Sequence, residues 1–314
     1  MGECVVVVNQ KGGVGKTTTA VNLGAALAEG GCRTLLVDLD PQSNATAALG
    51  AGIPEDATLA PRCGVYAALC GDTPIRDQVQ PTRWTPLCLL PATVELAGAE
   101  VELAADPTRH AVKSCLAPLL DDYDIVLLDT PPSLGVLTVN CLVAADSLLV
   151  PVQCEYFALE GLRQLLRTIE LVRESLNPEL EILGLLRTMH DGRTNLSQQV
   201  AAQIEQFFPG RVFSTLIPRN VRLSEAPSFG LPVTCYAPVC AGTAAYRALA
   251  KEVAVALRLP YEGTDELGAP VPRKPAEQLP EGPETAPAPP PEPDPSPVLI
   301  RTPSLSEAEL VALD

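Results

Sequence analysis

Short apolar runs recur along most of the chain, separated by stretches that carry the 3.6-residue spacing of a helix. The first run predicts a strand over 3–9, followed by a glycine-rich loop at 10–16 and a helix to about Glu29, closed by Gly30-Gly31. Further strands are predicted at Thr34–Asp38, Leu87–Leu90, Asp124–Asp129, Ser147–Val152, Glu181–Leu186 and Val212–Ile217. Helical patterns cover about 94–105 and 109–120, broken at Pro107, and then 135–144, 159–174, 195–207 and 244–257. Within the mixed stretch 45–83 only a short helix near 65–69 is expected. Strands that are apolar on both faces, alternating with helices, predict an α/β fold: a mostly parallel twisted sheet flanked by helices.

That pattern stops at Pro260. Residues 1–259 are read as the folded domain, 260–297 as a disordered tail, and 298–314 as a short interaction segment. The chain from Pro260 onward holds 14 prolines, and from Tyr261 onward it carries 11 acidic against 3 basic residues. Such a segment cannot bury enough apolar area to offset its ordering entropy. Near the end, Ser306 and Glu309 have capping-box spacing ahead of Leu310, Val311 and Leu313, which is the basis for expecting a partner-binding end.

Composition narrows the class. The net charge is −16 over 314 residues, which argues against a generally basic, nucleic-acid-coating surface. Ten cysteines occur without any C-x-x-C pair, and only two histidines accompany them, so buried thiols in a reducing cytosol are expected in place of zinc or disulfides. No signal-peptide pattern precedes the first strand and no apolar run reaches the roughly 20 residues of a membrane span, so the reading is cytoplasmic, with no membrane partner.

The chemistry centres on Lys11-Gly12-Gly13-Val14-Gly15-Lys16-Thr17-Thr18. Glycines between a strand and a helix let backbone N–H groups converge on phosphate oxygens at a helix N-terminus. Lys16 would reach the β- and γ-phosphates and the Thr17 hydroxyl would ligate Mg²⁺. Asp129, ending an apolar strand, suits the second metal position. Asp38 and Asp40 are two apart and would share one side of a continuing strand; Asp38 is placed in the metal's outer shell. No N-K-x-D guanine-reading stretch is present, which favours adenine and hence ATP as the nucleotide.

In the common G-x-x-x-x-G-K-[ST] loop the first glycine would fall at position 10, where Gln10 stands, and a second lysine, Lys11, is present. The loop resembles the deviant Walker A of ParA/MinD ATPases, within the P-loop NTPases. The resemblance continues through D-L-D-P-Q-S-N-A-T (38–46), D-I-V-L-L-D-T-P-P-S-L-G (124–135), D-G-R-T-N-L-S-Q-Q-V (191–200) and I-P-R-N-V-R-L-S-E-A-P-S-F-G (217–230), the last two being features of the small ParA/Soj type. It implies a Mg²⁺-dependent ATPase in which Lys11 reaches the nucleotide of a second subunit, Asp40 positions the water and touches the metal site, and Pro218 and Asn220 pack by the adenine. It further implies an ATP-dependent homodimer that binds double-stranded DNA without sequence preference, association with the nucleoid, and a ParB-like partner that stimulates hydrolysis.

From Arg187 to Arg258 there are eight basic and four acidic residues, a local +4 in an acidic chain. Arg193, Arg219, Arg222, Arg247 and Lys251 are the candidate DNA contacts. The stretch after Tyr236-Ala237-Pro238 lacks the basic residues usual in the resembled family, and the acidic tail could compete for the same patch, so weak DNA binding is expected. Two alternatives keep the switch and change its track: positioning of a protein cargo, or a MinD-like membrane cycle, which would need a basic amphipathic C-terminal helix. A metallocluster ATPase is a further alternative, prompted by the cysteines.

Overall fold

A computed structural model describes residues 2–50, 64–70, 73–105, 109–155 and 158–263. The chain divides into two units, Met1–Ala269 and Pro270–Asp314. The predicted tail, its end segment and the break at Pro107 lie outside the described residues, apart from the tail's first few positions.

Eight strands form one sheet: β1 (Glu3–Val7), β2 (Thr34–Asp38), β3 (Gln80–Pro81), β4 (Leu87–Leu90), β5 (Ile125–Asp129), β6 (Ser147–Gln153), β7 (Glu181–His190) and β8 (Val212–Pro218). Their order is β3-β4-β2-β5-β1-β6-β7-β8, and only the β3–β4 pair is antiparallel. The helices are α1 (Lys16–Glu29), α2 (Asn44–Ala48), α3 (Gly64–Cys70), α4 (Leu96–Leu103), α5 (Ala111–Leu116), α6 (Val136–Ala144), α7 (Ala158–Ser175), α8 (Asn195–Phe207), α9 (Val221–Glu225), α10 (Val233–Tyr236) and α11 (Ala241–Leu257). Among the described residues no helix is long and apolar enough to cross a membrane.

The two-residue period of a strand explains why apolar runs, and not alternating ones, build this sheet. Cys4, Val6 and Val8 enter one core with Leu35, Val37, Val126 and Leu128, under helices α3 to α8. Val5 and Val7 enter the opposite core with Leu36, Ile125 and Leu127, under α1, α2, α10 and α11. Both faces must be apolar because both are covered.

Most elements match the sequence pattern; the differences have local causes. β1 stops at Val7, two residues early, as the chain turns into the loop with Val8 N–H donating to Leu149 O at 3.1 Å. β7 runs four residues beyond Leu186, through Arg187 and Thr188, because Arg187 is buried there, its guanidinium donating to Phe213 O at 2.9 Å and pairing with Glu205. Arg187 is therefore a strut and leaves the basic patch in which the sequence placed it. α11 begins at Ala241, its first turn capped by the Cys240 thiol, which accepts from Thr243 N–H at 3.4 Å. The one-turn helices α2, α9 and α10 were not expected; they are too short for periodicity to register. Past Leu259 the chain stays docked: Glu262 N–H donates to Gly30 O at 2.8 Å.

A buried asparagine closes one helix. Asn177 Nδ2 donates to the carbonyls of Leu142, Val143 and Ala145 at 3.0, 3.3 and 2.9 Å, serving the C-terminus of α6. Asn177→Leu keeps the number and branching of the side-chain heavy atoms and strands those acceptors. It is expected to lower unfolding free energy by about 2–3 kcal/mol, read as a lower denaturant midpoint at unchanged slope.

Candidate functional site

The parallel register brings the chemistry to one edge of the sheet. β1 lies between β5 and β6, with Val7 opposite Asp129, and β2 sets Asp38 opposite Asp129. The C-terminal ends of β1, β2 and β5 thus converge, which is where ligands settle in open α/β sheets.

The loop after β1 is braced from three sides. Asn9 Nδ2 donates to Pro151 O at 2.7 Å and Asn9 Oδ1 accepts from Lys11 N–H at 3.0 Å. Thr188 Oγ1, from β7, donates to Val14 O at 2.8 Å, and Thr130 Oγ1 donates to Val7 O at 2.9 Å. Gly13 and Gly15 have φ of 73° and 90°, values side-chain-bearing residues rarely adopt. A Cβ at either would meet nothing within 4 Å, so the backbone angle, not crowding, selects glycine there. Gly15 is the N-cap of α1, whose first turn holds no acidic residue, so the helix N-terminus keeps its unpaired N–H groups and positive end.

Around this loop three carboxylates and one lysine share a small volume. Lys16 is buried, and Nζ lies 3.5 Å from Lys11 O. Burial lowers its pKa, while Asp129 and Asp40 pull it the other way. Asp129 is fully buried and neither carboxylate oxygen has a hydrogen-bond partner. Burial pushes its pKa well up, and the Asp38 carboxylate adds to the rise. The Thr17 hydroxyl is near enough to oppose that rise without making a bond of ordinary geometry. Asp38 is likewise pushed up, to about 6, chiefly by burial. An orphaned, fully buried carboxylate beside a threonine hydroxyl is a donor set that fits a hard divalent cation. Among the described residues no trio of His, Cys, Asp or Glu has metal-holding geometry.

Asp38 and Asp40 do come together, though not by strand alternation. β2 ends at Asp38, and the chain folds back so that Asp40 N–H donates to Asp38 Oδ1 at 3.1 Å. Asp40 Oδ1 in turn accepts from Gln42 N–H at 3.0 Å.

Lys11 points away from Lys16's pocket. Its Nζ pairs with Glu155 Oε2 at 3.2 Å, half-exposed. A pair this open contributes about 0–1 kcal/mol and is readily exchanged for another partner. Gly12 lies 3.7 Å, measured from a built Cβ, from the Pro132 side chain and is exposed. Thr18 sits in the first turn of α1, its carbonyl accepting from Asn22 Nδ2 at 2.7 Å.

Pro218 ends β8, and Asn220 caps α9, its Oδ1 accepting from Arg222 N–H at 2.8 Å. The basic candidates fall into two groups. Arg193, Arg219 and Arg222 lie just beyond the ends of β7 and β8, where Arg219 N–H donates to His190 O at 3.1 Å. Arg193 pairs with Asp191 at 2.7 Å and Arg222 with Glu225 at 2.7 Å. Arg247 and the exposed Lys251 ride on α11, where Arg247 pairs with Glu29 at 2.9 Å and donates to Pro238 O at 3.3 Å. The nine described cysteines are free thiols, five of them partly or fully exposed. Asn9, Thr46, Thr130 and Thr188 were not singled out from sequence. Asn9 closes an apolar run, and Thr46 and Thr130 lie within the stretches that carry the family resemblance; Thr188 had no local signal.

Comparison with known proteins agrees with this geometry. A family model described as an AAA domain matches residues 2–182. The sporulation initiation inhibitor protein Soj of Bacillus subtilis is 51% identical over 81% of this chain and 99% of its own length. The chromosome-partitioning ATPase Soj of Thermus thermophilus is 54% identical over 79% of this chain and 94% of its own. Among solved structures, cobyrinic acid a,c-diamide synthase from Mycobacterium smegmatis with bound ADP and magnesium is 40% identical, with a TM-score of 0.68 over 80% of this chain and 93% of that one. The cell division ATPase MinD of Pyrococcus furiosus is 25% identical, with a TM-score of 0.66 over 81% of this chain and 98% of that one. With half or more of the aligned residues identical to those of these two Soj proteins across nearly their full length, the chain belongs to the Soj/ParA family of chromosome-partitioning ATPases.

Proposed function

We propose that this chain is an ATP-driven partitioning switch: Mg²⁺-ATP closes a homodimer, the dimer holds double-stranded DNA without reading its sequence, and a ParB-like partner stimulates hydrolysis and release. The observation that carries the reading is the convergence of the glycine loop, Lys16, Asp40 and the bare Asp129 carboxylate at one sheet edge. On this reading the N–H groups from Gly12 to Thr18 hold the phosphates and Lys16 neutralises the β- and γ-oxygens. Thr17 and Asp129, with Asp40 nearby, hold the magnesium ion, which supplies charge neutralisation at the phosphate. Asp40 orients the attacking water. The water oxygen bonds to the γ-phosphorus as the bond to the bridging oxygen breaks, leaving ADP and phosphate. Lys11 exchanges Glu155 for the partner subunit's phosphates, and Pro218 and Asn220 border the adenine.

DNA contact is assigned to Arg193, Arg219, Arg222, Arg247 and Lys251, and with it nucleoid association. Three of these arginines are held by carboxylates in the isolated chain. Such surface pairs have little net worth, and phosphate oxygens can replace the carboxylates.

The direct test is DNA binding with ATP, with ADP and without nucleotide, at two salt concentrations and on unrelated sequences. Binding that needs ATP, weakens steeply with salt and ignores sequence is the expected result. No binding in any state would move the track from DNA to a protein surface. Asp40→Ala is expected to bind ATP and dimerise yet lose turnover by about two orders of magnitude, so that the DNA-bound state persists. Asp129→Asn is expected to abolish Mg²⁺-dependent hydrolysis while raising the melting temperature of the nucleotide-free protein. The sign follows from linkage: a raised carboxyl pKa means the folded state holds its proton longer than the unfolded chain. Stability contributed by that group therefore falls as pH rises above the ordinary carboxylate range. The advantage of the variant should grow with pH over that span and vanish below about pH 4.

A further inference from the structure

Asp38 and Thr46 form a buried knot that the phosphate chemistry itself does not require. Thr46 donates twice to one oxygen, its N–H and its hydroxyl meeting Asp38 Oδ2 at 2.8 and 2.7 Å. The other oxygen, Oδ1, accepts the backbone N–H of Asp40 at 3.1 Å. The Thr46 hydroxyl also accepts from Ala92 N–H at 3.0 Å, in the turn that follows β4. Asp38 and Thr46 are both buried. The carboxylate at the end of β2 thus spends both oxygens on the segment 40–46, and Thr46 ties that segment to the neighbouring strand's turn. With its oxygens occupied in this way, Asp38 is poorly placed for the outer-shell metal position expected from sequence.

From this geometry we infer that Thr46, acting through Asp38, is a positioning residue for hydrolysis: it fixes the backbone that aims the Asp40 carboxylate. The inference rests on the proposed role of Asp40. A water-orienting carboxylate on an irregular segment must be held to a fraction of an ångström, and misplacement costs turnover more than binding. Within the segment, Gln42 N–H and Ser43 N–H bond back to Asp40 itself, at 3.0 and 2.8 Å, and shape the turn without tying it to the sheet, while Ala45 is buried in the core. The bond from Asp40 N–H to Asp38 and the pair from Thr46 join it to the sheet. A threonine suits the position because one hydroxyl both donates to Asp38 and accepts from Ala92, which neither valine nor alanine can do.

The test compares Thr46→Val and Thr46→Ser with the unsubstituted full-length chain. Binding of a fluorescent ATP analogue, steady-state hydrolysis at saturating Mg²⁺-ATP, and thermal melting are measured for each. Thr46→Val is expected to keep analogue affinity within about twofold while turnover falls roughly tenfold, and Thr46→Ser to recover most of that loss. Equal turnover in Thr46→Val and the unsubstituted chain would overturn the inference while leaving the ATPase reading intact. So would a Thr46→Ser variant as slow as the valine, or a Thr46→Val whose affinity falls in step with its turnover. Should Thr46→Val fail to fold, Ala92→Pro, which removes the N–H facing the hydroxyl, must lower turnover at matched affinity while Thr46→Ser keeps more than one half of the unsubstituted value; an Ala92→Pro with unchanged turnover would overturn the inference. Absence of hydrolysis in the unsubstituted chain would instead defeat the proposed function, and this inference with it.

Discussion

The arrangement of the nucleotide end depends on one parallel register, in which Val7, Asp129 and Asp38 stand side by side on adjacent strands. Strand pairing at about 4.8 Å per step sets Asp129 one step from both Val7 and Asp38, and those two about 10 Å apart. Helix α1 then aims its N-terminus into the same space, because the loop leaves β1 and re-enters as a helix after only a few residues. A slip of one residue would turn each strand's side chains into the opposite core, so burial of both faces holds the site in place. The site and the core are specified by the same contacts.

That placement carries an electrostatic cost. Asp129 has no donor, Asp38 is pushed up to about 6, and Lys16 is pushed down, all chiefly through burial. Removing a charged group from water is costly, so burial makes both carboxyls hold their protons to higher pH and makes Lys16 release its proton more readily.

The basic residues obey different physics. They lie on the rim, where ion pairs such as Arg193 with Asp191 are exposed and exchangeable. Arg187 shows the contrast within the same stretch of sequence: buried against Phe213 O, it supports β7 and faces no solvent.

By itself the sequence determined the α/β class, most strand positions, the glycine loop with its two lysines, and the family. Each of these is written in local terms: runs of apolar residues, glycines where φ must be positive, and a motif read in a single window. Tertiary structure alone decided that Arg187 is internal, that β7 continues through polar residues, that Lys11 is held by Glu155, and that Asp38 is occupied by Thr46. These contacts join residues 8 to 144 positions apart, or depend on which face of a strand is covered. Periodicity reports which residues prefer to be buried. Only the folded chain reports what they are buried against.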